Sequence, residues 1–503
     1  MKFKLIACLI LLGACNGAEE KSSDIQPDII SDAAGDLASD SLDDSAPDAT
    51  SDTVPQSPWP GCPTAASSLA LKGEGYDKAC VEVHIHDNLL RTVSLKNDDS
   101  GEVQNYHHSD NANYWTGLYL AGQVFRWALN GEPKAMDNAL MVAQGLHDMQ
   151  GVTGIPGLLC RCYAAPDGLY GNKGEGDPQW HDSTAPGYEG WRFKGDVSKD
   201  GMTGVLFAYG VVADLVPDGK LREMAAEDAK AIAMHLINNG QKVIDVTGEI
   251  TEHGDLYAAS FGGFPGFNAL LASAFIKVAA VLTEDPVIND YYYGCLMGRY
   301  EVENCRVNDG PVTDPYHDVI DDWLGIYLEN CQENFNNFLM SFLSMYTLVR
   351  LEDDPQLSAR FRQIFHSKMW QYPGHDYPAS EQRNPVFTYL YAGAVAPGPE
   401  DTTAYQAIED AACSLDRFPE TKFQYSNPKG DFSLEVCKSR GGDPRAAEPL
   451  WVDERYIDNF VWRLDPYGIP KGSEGSGYHQ WSPEDWILPY WLGRYHGFLS
   501  PDA

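Results

Sequence analysis

Basic residues are scarce in this sequence. The chain of 503 residues has 36 lysine and arginine residues against 73 aspartate and glutamate residues, and its formal net charge at pH 7 is −37. Residues 1–60 hold three lysines and eleven acidic residues, so residues 61–503 keep a net charge of −29. Such a surface excludes nucleic acids and anionic lipid headgroups as partners, because both carry dense negative charge. It also disfavours polyanionic glycans unless arginine side chains cluster around the substrate.

Several functional motifs are also absent from the sequence. It has no glycine-rich nucleotide-binding loop and no Gly-x-Ser-x-Gly turn that would carry a nucleophilic serine. It has no Cys-x-x-Cys pair, and Cys160-Arg161-Cys162 is too short for that zinc-binding pattern. We therefore assign no cofactor and no metal ion from the sequence.

No apolar run of the sequence reaches the ~20 residues that a membrane-spanning helix needs. The N-terminal run Leu5–Leu12 is shorter and ends in Leu12-Gly13-Ala14-Cys15, which resembles a bacterial lipobox. The resemblance implies a signal peptide over residues 1–14 and lipidation of Cys15, so that the lipid is the membrane attachment. Asn16 follows instead of the aspartate that suggests inner-membrane retention. We expect an outer-membrane lipoprotein facing the periplasm or the cell surface; an ordinary secretory signal is the alternative.

The segment after the cysteine has the composition of a tether. Residues 16–60 contain eleven acidic residues and one lysine, and aspartates recur about every four positions from Asp24 to Asp52. On a helix this spacing would stack like charges on one face, which is unfavourable. Low hydrophobicity and charge repulsion instead predict an extended, disordered spacer, with calcium binding as the alternative. The sequence thus predicts a lipidated cysteine with an acidic linker over residues 15–60 and a folded domain over residues 61–503.

Nine cysteines follow Cys15, and an exported chain meets oxidising conditions. We expect disulfides between neighbours in the sequence, because each closes a short loop: Cys62–Cys80, Cys295–Cys305 and Cys413–Cys437. The odd number leaves at least one free thiol. Cys331, at the head of an apolar segment, is the best candidate for a buried and inert one.

The folded domain repeats one structural unit. Residues 113–129 carry apolar side chains in nearly every direction, whereas residues 136–149 carry them on one face only. Asn130-Gly131-Glu132-Pro133 separates the two segments, with a helix stop followed by a proline suited to a helix start. A helix buried all round followed by a one-sided helix is the pattern of an inner helix covered by an outer one. Further buried segments followed by a break lie at 202–215, 264–282, 335–349 and 385–394.

A sixth pair is expected at residues 451–462 and 483–498. Six alternating pairs resemble the (α/α)6 toroid of the six-hairpin glycosidases, a superfamily that includes unsaturated glucuronyl hydrolases and whose fold some polysaccharide lyases and sugar epimerases share. The resemblance covers about residues 105–498 as a pattern and implies an all-α toroid of alternating inner and outer helices with long irregular loops. An open α-solenoid is the alternative, but irregular repeat lengths favour a closed ring.

Two long connections, residues 151–198 and 415–482, are rich in glycine, proline and aromatic residues. Loops of this length in a compact domain are usually functional or disordered, and their aromatic content argues against disorder. In toroids of this kind the pocket lies at the N-terminal ends of the inner helices, where aromatic rings stack on sugars and polar side chains bind hydroxyl groups. The candidate substrate-binding residues are His108, Trp180, Tyr188, Trp191, Arg192, His253, Asn268, Asn334 and Tyr478.

Two aspartates stand at the starts of the first two inner helices. Asp110 precedes the first helix and Asp200 the second, where either can also serve as a helix cap. Unsaturated glucuronyl hydrolases resemble this arrangement, with acidic residues on the first two inner helices serving proton transfer. The resemblance implies that Asp110 and Asp200 are the catalytic residues, since glycosidic hydrolysis needs an acid together with a base or nucleophile. We therefore expect a monomeric glycoside hydrolase acting on a glycan.

Other functions remain open on the same scaffold. Histidines also precede the inner helices: His107, His108, His253 and His317. A polysaccharide lyase would use a histidine base, with Arg192 neutralising the uronate carboxylate. Histidines together with Glu252 or Asp110 also offer metal ligands, although their spacing is not a ligand signature. A non-catalytic glycan- or protein-binding lipoprotein is the third alternative.

Overall fold

The computed structural model describes most of the chain from Cys62 to Ser500. The described residues are 62, 69–97, 100–108, 110–166, 168, 174, 176–259, 264–303, 305, 314–326, 334–372, 377–396, 401–423, 433–437, 443–469 and 477–500. The predicted lipidation site Cys15, the predicted linker and the predicted free thiol Cys331 lie outside the described residues.

Six helices form an inner ring. They are α2 (Ala112–Asn130), α4 (Lys199–Leu215), α6 (Pro265–Thr283), α9 (Phe335–Leu351), α11 (Pro385–Val395) and α13 (Glu484–Tyr495). Each helix packs against the next, and α13 packs back against α2, so the ring is closed. The helices run in the same direction: Gly201 of α4 lies against Asn113 of α2, and Gly204 lies against Gly117 further along both helices.

Outer helices cover this ring and return the chain to the start of the next inner helix. They are α3 (Pro133–Gly151), α5 (Lys220–Asn238), α7 (Pro286–Asn289, continued by a π-helical turn to Leu296), α10 (Pro355–Ile364) and α12 (Thr402–Asp416). The sequence breaks fall at these junctions. Gly131 ends α2 with a left-handed φ of 68°, and Asp354 caps α10 through the backbone N–H groups of Gln356 and Leu357. The fold is therefore the predicted (α/α)6 toroid.

The sixth helix pair differs from the prediction. Its inner helix α13 was expected, but residues 451–462 form no α-helix and contain the short 3-10 turn Val452–Glu454 and the start of another. The outer partner of α13 is α1 (Leu69–Ala79), from the beginning of the domain. The prediction was wrong because α1 is short, polar and interrupted by glycine. Gly73 packs closely against α13 there, since a Cβ atom would lie 3.2 Å from the Tyr490 ring.

An additional helix, α8 (Tyr316–Trp323), lies in the connection from α7 to α9 and packs against α6 and α10. Among the described residues, α6 is the one helix long and apolar enough to cross a membrane by length and composition. Because 83% of its most apolar window is buried inside the ring, packing in the core accounts for that composition.

Short antiparallel strands lie in the connections. One sheet has the order β12 (His479–Gln480), β3 (Val93–Leu95), β4 (Val103–Tyr106), and another the order β5 (Cys162–Ala164), β7 (Arg192–Lys194), β6 (Trp180–Asp182). Three two-stranded pairs are β1 (Ile85–His86) with β2 (Leu89–Leu90), β8 (Lys242–Ile244) with β9 (Ile250–Asp255), and β10 (Leu434–Cys437) with β11 (Asp443–Ala446). Strands β4, β7 and β12 lead into α2, α4 and α13, so they position the starts of inner helices.

Two disulfides form among the described residues, and one of them has the expected partners. The pair Cys295–Cys305 is confirmed. Cys62 bonds Cys413, 351 residues away, so the predictions of Cys62–Cys80 and Cys413–Cys437 were wrong. They failed because they weighed only the length of the closed loop, whereas the toroid brings the start of the domain against α12. Three further cysteines are free and buried: Cys80, Cys160 and Cys162.

A buried lysine, Lys422, connects chain segments at the point where the ring of helices closes. Lys422 Nζ donates to the carbonyl oxygens of Asn459 at 2.8 Å and Ser482 at 2.9 Å, and contacts Asp485 Oδ2 at 2.7 Å. The side chains of Lys422 and Asp485 are 1% and 0% exposed. Asp485 Oδ2 also accepts from the backbone N–H of Val461 at 3.0 Å. Each charge is thus compensated, and removing one partner would leave the other buried without its counter-charge.

The close approach of α2 and α4 predicts a sharp stability effect. A Cβ atom at Gly117 would lie 2.4 Å from the carbonyl oxygen of Gly204, so Gly117→Ala must push two backbones apart. We expect a loss of about 1–3 kcal/mol in the free energy of unfolding, measured by chemical denaturation. Gly75→Ala in α1 is the control, because its Cβ meets nothing within 4 Å. A Gly117→Ala variant as stable as the wild type would contradict the direct backbone contact between α2 and α4.

Glu484, next to Asp485, predicts a pH dependence of stability. Burial raises the pKa of Glu484 from 4.5 to about 8, against the opposing effect of Lys422. The folded state therefore binds this proton more tightly than the unfolded state, and the stabilisation is lost as the pH rises from about 5 through about 8. We expect the Tm of the wild type to fall over this range and Glu484→Gln to weaken the dependence, measured by calorimetry. The prediction is refuted if Tm changes with pH by the same amount in the wild type, in Glu484→Gln and in the exposed control Glu82→Gln.

Candidate functional site

The starts of the inner helices lie together at one end of the toroid, which we call the N-terminal face. Asn113 of α2 contacts Gly201 of α4, and Lys199 Nζ of α4 donates to Asn268 Oδ1 of α6 at 3.0 Å. Because the outer helices return the chain, each connection from an outer to an inner helix reaches this face. The ring below is packed, and the gap between α4, α6 and α9 is too small for a water molecule.

Asp110 lies just before α2, with 63% of its side chain exposed. Its Oδ1 accepts a hydrogen bond from Lys194 Nζ at 2.6 Å. Lys194 is 12% exposed, belongs to β7 and also lies 3.7 Å from Asp177. Strand β7, which precedes α4, therefore carries the lysine that pairs with Asp110 before α2. Sequence reasoning missed Lys194, although its alternation with Arg192 on a strand was a signal for a shared face.

Asp200 occupies the first turn of α4 and is half-buried. Its Oδ2 accepts from Asn111 Nδ2 at 3.1 Å. Asn111 directly follows Asp110, so one residue connects the two aspartates that the sequence paired. Tyr114 lies one turn into α2, and burial followed by the charge of Asp200 raises the pKa of its phenol well above the ordinary range. The structure thus places both predicted carboxylates at the junction of α2 and α4, near a phenol that stays protonated.

Asp196 holds the connections of this face together. It adopts a left-handed backbone with φ 56°, and its carboxylate accepts from Gln179 Nε2 at 2.9 Å and from the backbone N–H of Glu252 at 2.8 Å. Arg161 pairs with the same carboxylate at 3.5 Å. These contacts tie the connection before α4 to strand β9. The role of Asp196 is therefore to position the loops beside the aspartate pair.

Trp180 and His108 form an aromatic wall beside Asp110. Their ring centroids are 4.6 Å apart with an edge-on angle of 66°. Trp180 pairs with Lys194 across β6 and β7, which places it next to the cation that binds Asp110. Arg192 lies over the Trp180 ring at 5.8 Å and donates to Asp182 at 2.9 Å. Three predicted binding residues therefore come together at this point.

Tyr188 and Trp191 pack in a different way. The hydroxyl of Tyr188 donates to Asp148 Oδ1 on α3 at 2.8 Å. The Trp191 ring lies 5.0 Å from Tyr163 and 5.4 Å from Tyr188 between ring centroids. Tyr188 therefore anchors the long connection before α4 to the outer helix α3, whereas Trp191 packs against other aromatic rings within that connection.

The two predicted asparagines, Asn268 and Asn334, form hydrogen bonds with backbone groups near the starts of inner helices. Asn268 is buried in the first turn of α6, where it accepts from Lys199 and donates to the carbonyl oxygen of Tyr257 at 3.3 Å. Asn334 caps α9, since its side chain accepts from the backbone N–H groups of Asn336 and Asn337. These hydrogen bonds fix the starts of α6 and α9.

His253 and Tyr478 lie in the strands of the connections. His253, on β9, has 43% of its side chain exposed, and its Nε2 is 4.0 Å from Glu252. The carbonyl oxygen of Tyr478 accepts from the backbone N–H of Leu95 at 2.7 Å, next to the pairing of β12 with β3.

A second polar cluster lies where β4 and β12 lead into α2 and α13. The rings of His107 and His479 are 4.7 Å apart, and His107 Nε2 is 2.7 Å from Ser94 Oγ. Burial lowers the pKa of His479 to about 4, with a further lowering from His107, so His479 is neutral at pH 7. Arg463 donates to Asp458 at 3.0 Å and lies 5.5 Å from the Trp115 ring, which extends the cluster to α2.

In the part of the chain that the structure describes, no three His, Cys, Asp or Glu side chains are arranged to hold a metal ion. Asp110 pairs instead with Lys194, Asp196 with Arg161, Asp200 with the Asn111 amide, and His107 with the Ser94 hydroxyl. The arrangement can donate and accept protons and can bind hydroxyl groups.

No family model and no curated protein matches the chain. A solved structure of an unsaturated glucuronyl hydrolase specific for heparin is similar at 9% identity and a TM-score of 0.40, covering 85% of this chain and 96% of that chain. A mutant of an unsaturated glucuronyl hydrolase from Streptococcus agalactiae is similar at 10% identity and a TM-score of 0.35, covering 87% and 94%. The closed ring itself is established by the helix contacts.

Proposed function

We propose that the protein is a glycoside hydrolase that uses Asp110 and Asp200 at its N-terminal face. The observation that carries the proposal is the connection of these aspartates through Asn111 at the junction of the first two inner helices. Glycosidic hydrolysis needs one carboxylic acid to protonate the leaving oxygen and one carboxylate to activate water or attack the sugar. The two aspartates are a pair of this kind.

The surroundings of the two aspartates suggest different roles. The carboxylate of Asp110 forms an ion pair with Lys194, and the ionised form is the one that acts as base or nucleophile. Asp200 is half-buried and receives the neutral amide of Asn111. We therefore assign Asp110 as base or nucleophile and Asp200 as acid.

The aromatic wall would bind the sugar next to the aspartates. Aromatic rings contact the C–H faces of sugars, while polar groups bind the hydroxyl groups at their edges. Trp180 is buried, with 8% of the residue exposed, and packs against the half-buried His108 ring. His108 and the guanidinium of Arg192, which Asp182 holds in place, are therefore the groups that would meet the sugar. These residues lie next to Lys194, and hence next to the carboxylate of Asp110.

A polysaccharide lyase is the second candidate, and the neutral His479 favours it. An imidazole whose pKa is lowered to about 4 is unprotonated at pH 7 and can accept a proton, as a weaker base than an imidazole of ordinary pKa. Arg463 lies in the same cluster as the cation that would face a uronate carboxylate. The two reactions differ in their products, because elimination leaves a carbon–carbon double bond in the sugar ring.

We also propose that the protein is an outer-membrane lipoprotein exposed to the periplasm or the cell surface. The support is the lipobox-like ending of the N-terminal apolar run and the residue after Cys15, which is Asn16. The acidic composition of residues 16–60 supports a tether between the lipid and the toroid. Attachment by lipid alone agrees with an acidic domain that anionic headgroups repel.

The aspartate roles predict a large loss of turnover. We expect Asp110→Asn and Asp200→Asn each to lower kcat by at least about 100-fold, because each removes a proton-transfer group. The measurement is reducing-sugar release from a panel of neutral and uronate-containing oligosaccharides. Asp218→Asn, an exposed aspartate after α4 at the other end of that helix, is the control. Unchanged turnover in both site variants would refute the roles, and ultraviolet absorbance from a new double bond would identify the lyase.

The lipoprotein proposal predicts that membrane association depends on one sulfur atom. We expect Cys15→Ser to abolish incorporation of labelled fatty acid and to move the protein from the membrane fraction to the soluble fraction. The expression host is a bacterium with an outer membrane, and the control is Cys8→Ser, which changes a cysteine within the signal peptide. Equal labelling of wild type and Cys15→Ser would contradict lipidation at this residue.

A further inference from the structure

We propose that Trp323 forms an outer sugar-binding subsite on the N-terminal face, so that the protein binds an extended glycan chain. The inference rests on the proposed function for the kind of ligand. Trp323 ends α8, and 62% of the residue is exposed. The exposed indole offers a flat apolar face on which a sugar ring can stack.

The backbone of α8 is fixed against an inner helix. A Cβ atom at Gly266, in the first turn of α6, would lie 2.3 Å from the carbonyl carbon of Trp323. The glycine therefore allows the end of α8 to sit directly on the start of α6. Trp323 is held at the N-terminal face by its main chain, while its side chain remains exposed. A rigid support of this kind lowers the entropic cost of binding.

A second aromatic ring supports the same position. Phe264 precedes α6 and is 38% exposed. Gly325, two residues after Trp323, has a left-handed φ of 70°, and a Cβ atom there would lie 2.9 Å from the Phe264 ring. Phe264 thus packs against the chain that leaves α8. The two aromatic residues belong to one stretch of the rim.

This stretch is continuous with the aspartate pair. Lys199 Nζ lies 5.9 Å from the centre of the Phe267 ring and donates to Asn268, both in the first turn of α6. Lys199 directly precedes Asp200. The first turn of α6 is therefore contacted by the start of α4 on one side and by the end of α8 on the other. The proposed glycan path runs from Asp200 past the start of α6 to Trp323.

The charges around Trp323 favour an uncharged sugar. Arg360 pairs with Asp321 at 2.6 Å and with Asp318 at 3.5 Å, which neutralises part of α8. Asp322, beside Trp323, is exposed. An aromatic face next to a carboxylate acceptor suits a hydroxyl-rich pyranose, whereas a carboxylate or sulfate group would meet like charge. A protein partner would need a far larger apolar area than one ring.

The test compares Trp323→Ala and Trp323→Phe with a matched control. Tyr405→Ala removes another exposed aromatic, 47% exposed on α12 and beside the last residues of α11 at the opposite end of the toroid. Binding is measured by electrophoresis in gels containing xylan, laminarin, galactomannan or hyaluronan. Turnover is measured in parallel on disaccharides and on long oligosaccharides of the same composition.

We expect retardation of the wild type by a neutral polysaccharide and a roughly tenfold weaker affinity in Trp323→Ala. Trp323→Phe and Tyr405→Ala should bind like the wild type, within about threefold. For a protein that turns over these sugars, Trp323→Ala should lose kcat/KM on long chains and keep it on disaccharides. If the wild type cleaves no substrate, the proposed hydrolase function is refuted. The comparison of gel retardation between the wild type and Trp323→Ala still tests the role of Trp323 in binding. Three outcomes would overturn the proposed subsite. They are equal retardation of Trp323→Ala and wild type, retardation of the wild type by hyaluronan alone, and no retardation of the wild type by any of the polysaccharides.

Discussion

The parallel crossing of α2 and α4 is the contact on which the candidate site depends. No side chain separates the two helices at Gly117 and Gly204, so their backbones meet directly. Helices that approach this closely also bring together the residues that precede them. For this reason Asn111, before α2, reaches Asp200 in the first turn of α4. A larger residue at the crossing would move the helix starts apart and separate the two carboxylates, although neither glycine touches them.

Closure of the ring is the second constraint, and it depends on distant parts of the chain. The last inner helix is covered by α1 from the beginning of the domain, and the disulfide Cys62–Cys413 links that beginning to α12. Lys422 and Asp485 join the connection before α13 to the start of that helix within the core. A buried ion pair adds little net stability over apolar packing, but it permits few alternative arrangements of its neighbours. We infer that this pair fixes where the ring closes.

The inner helices could be predicted because a helix buried on every side differs in sequence from one with a single apolar face. The outer partner of α13 could not, because α1 depends on tertiary contacts at Gly73 rather than on its own periodicity. The positions of Asp110 and Asp200 followed from their places before inner helices. The separation of Trp180 from Tyr188 did not, since both are loop aromatics and only the hydrogen bond of Tyr188 to α3 distinguishes them. Long-range contacts of this kind leave no local signal in the sequence.

Ion pairs recur on the N-terminal face. Four of its basic residues each pair with an aspartate: Lys194 with Asp110, Arg161 with Asp196, Arg192 with Asp182, and Arg463 with Asp458. Ion pairs of this kind hold hydrogen-bond donors in fixed directions. Under the proposed function, these donors would meet the hydroxyl groups of a sugar. The acidity of the whole chain would then disfavour polyanionic partners, while recognition at this face would depend on the geometry of the ion pairs.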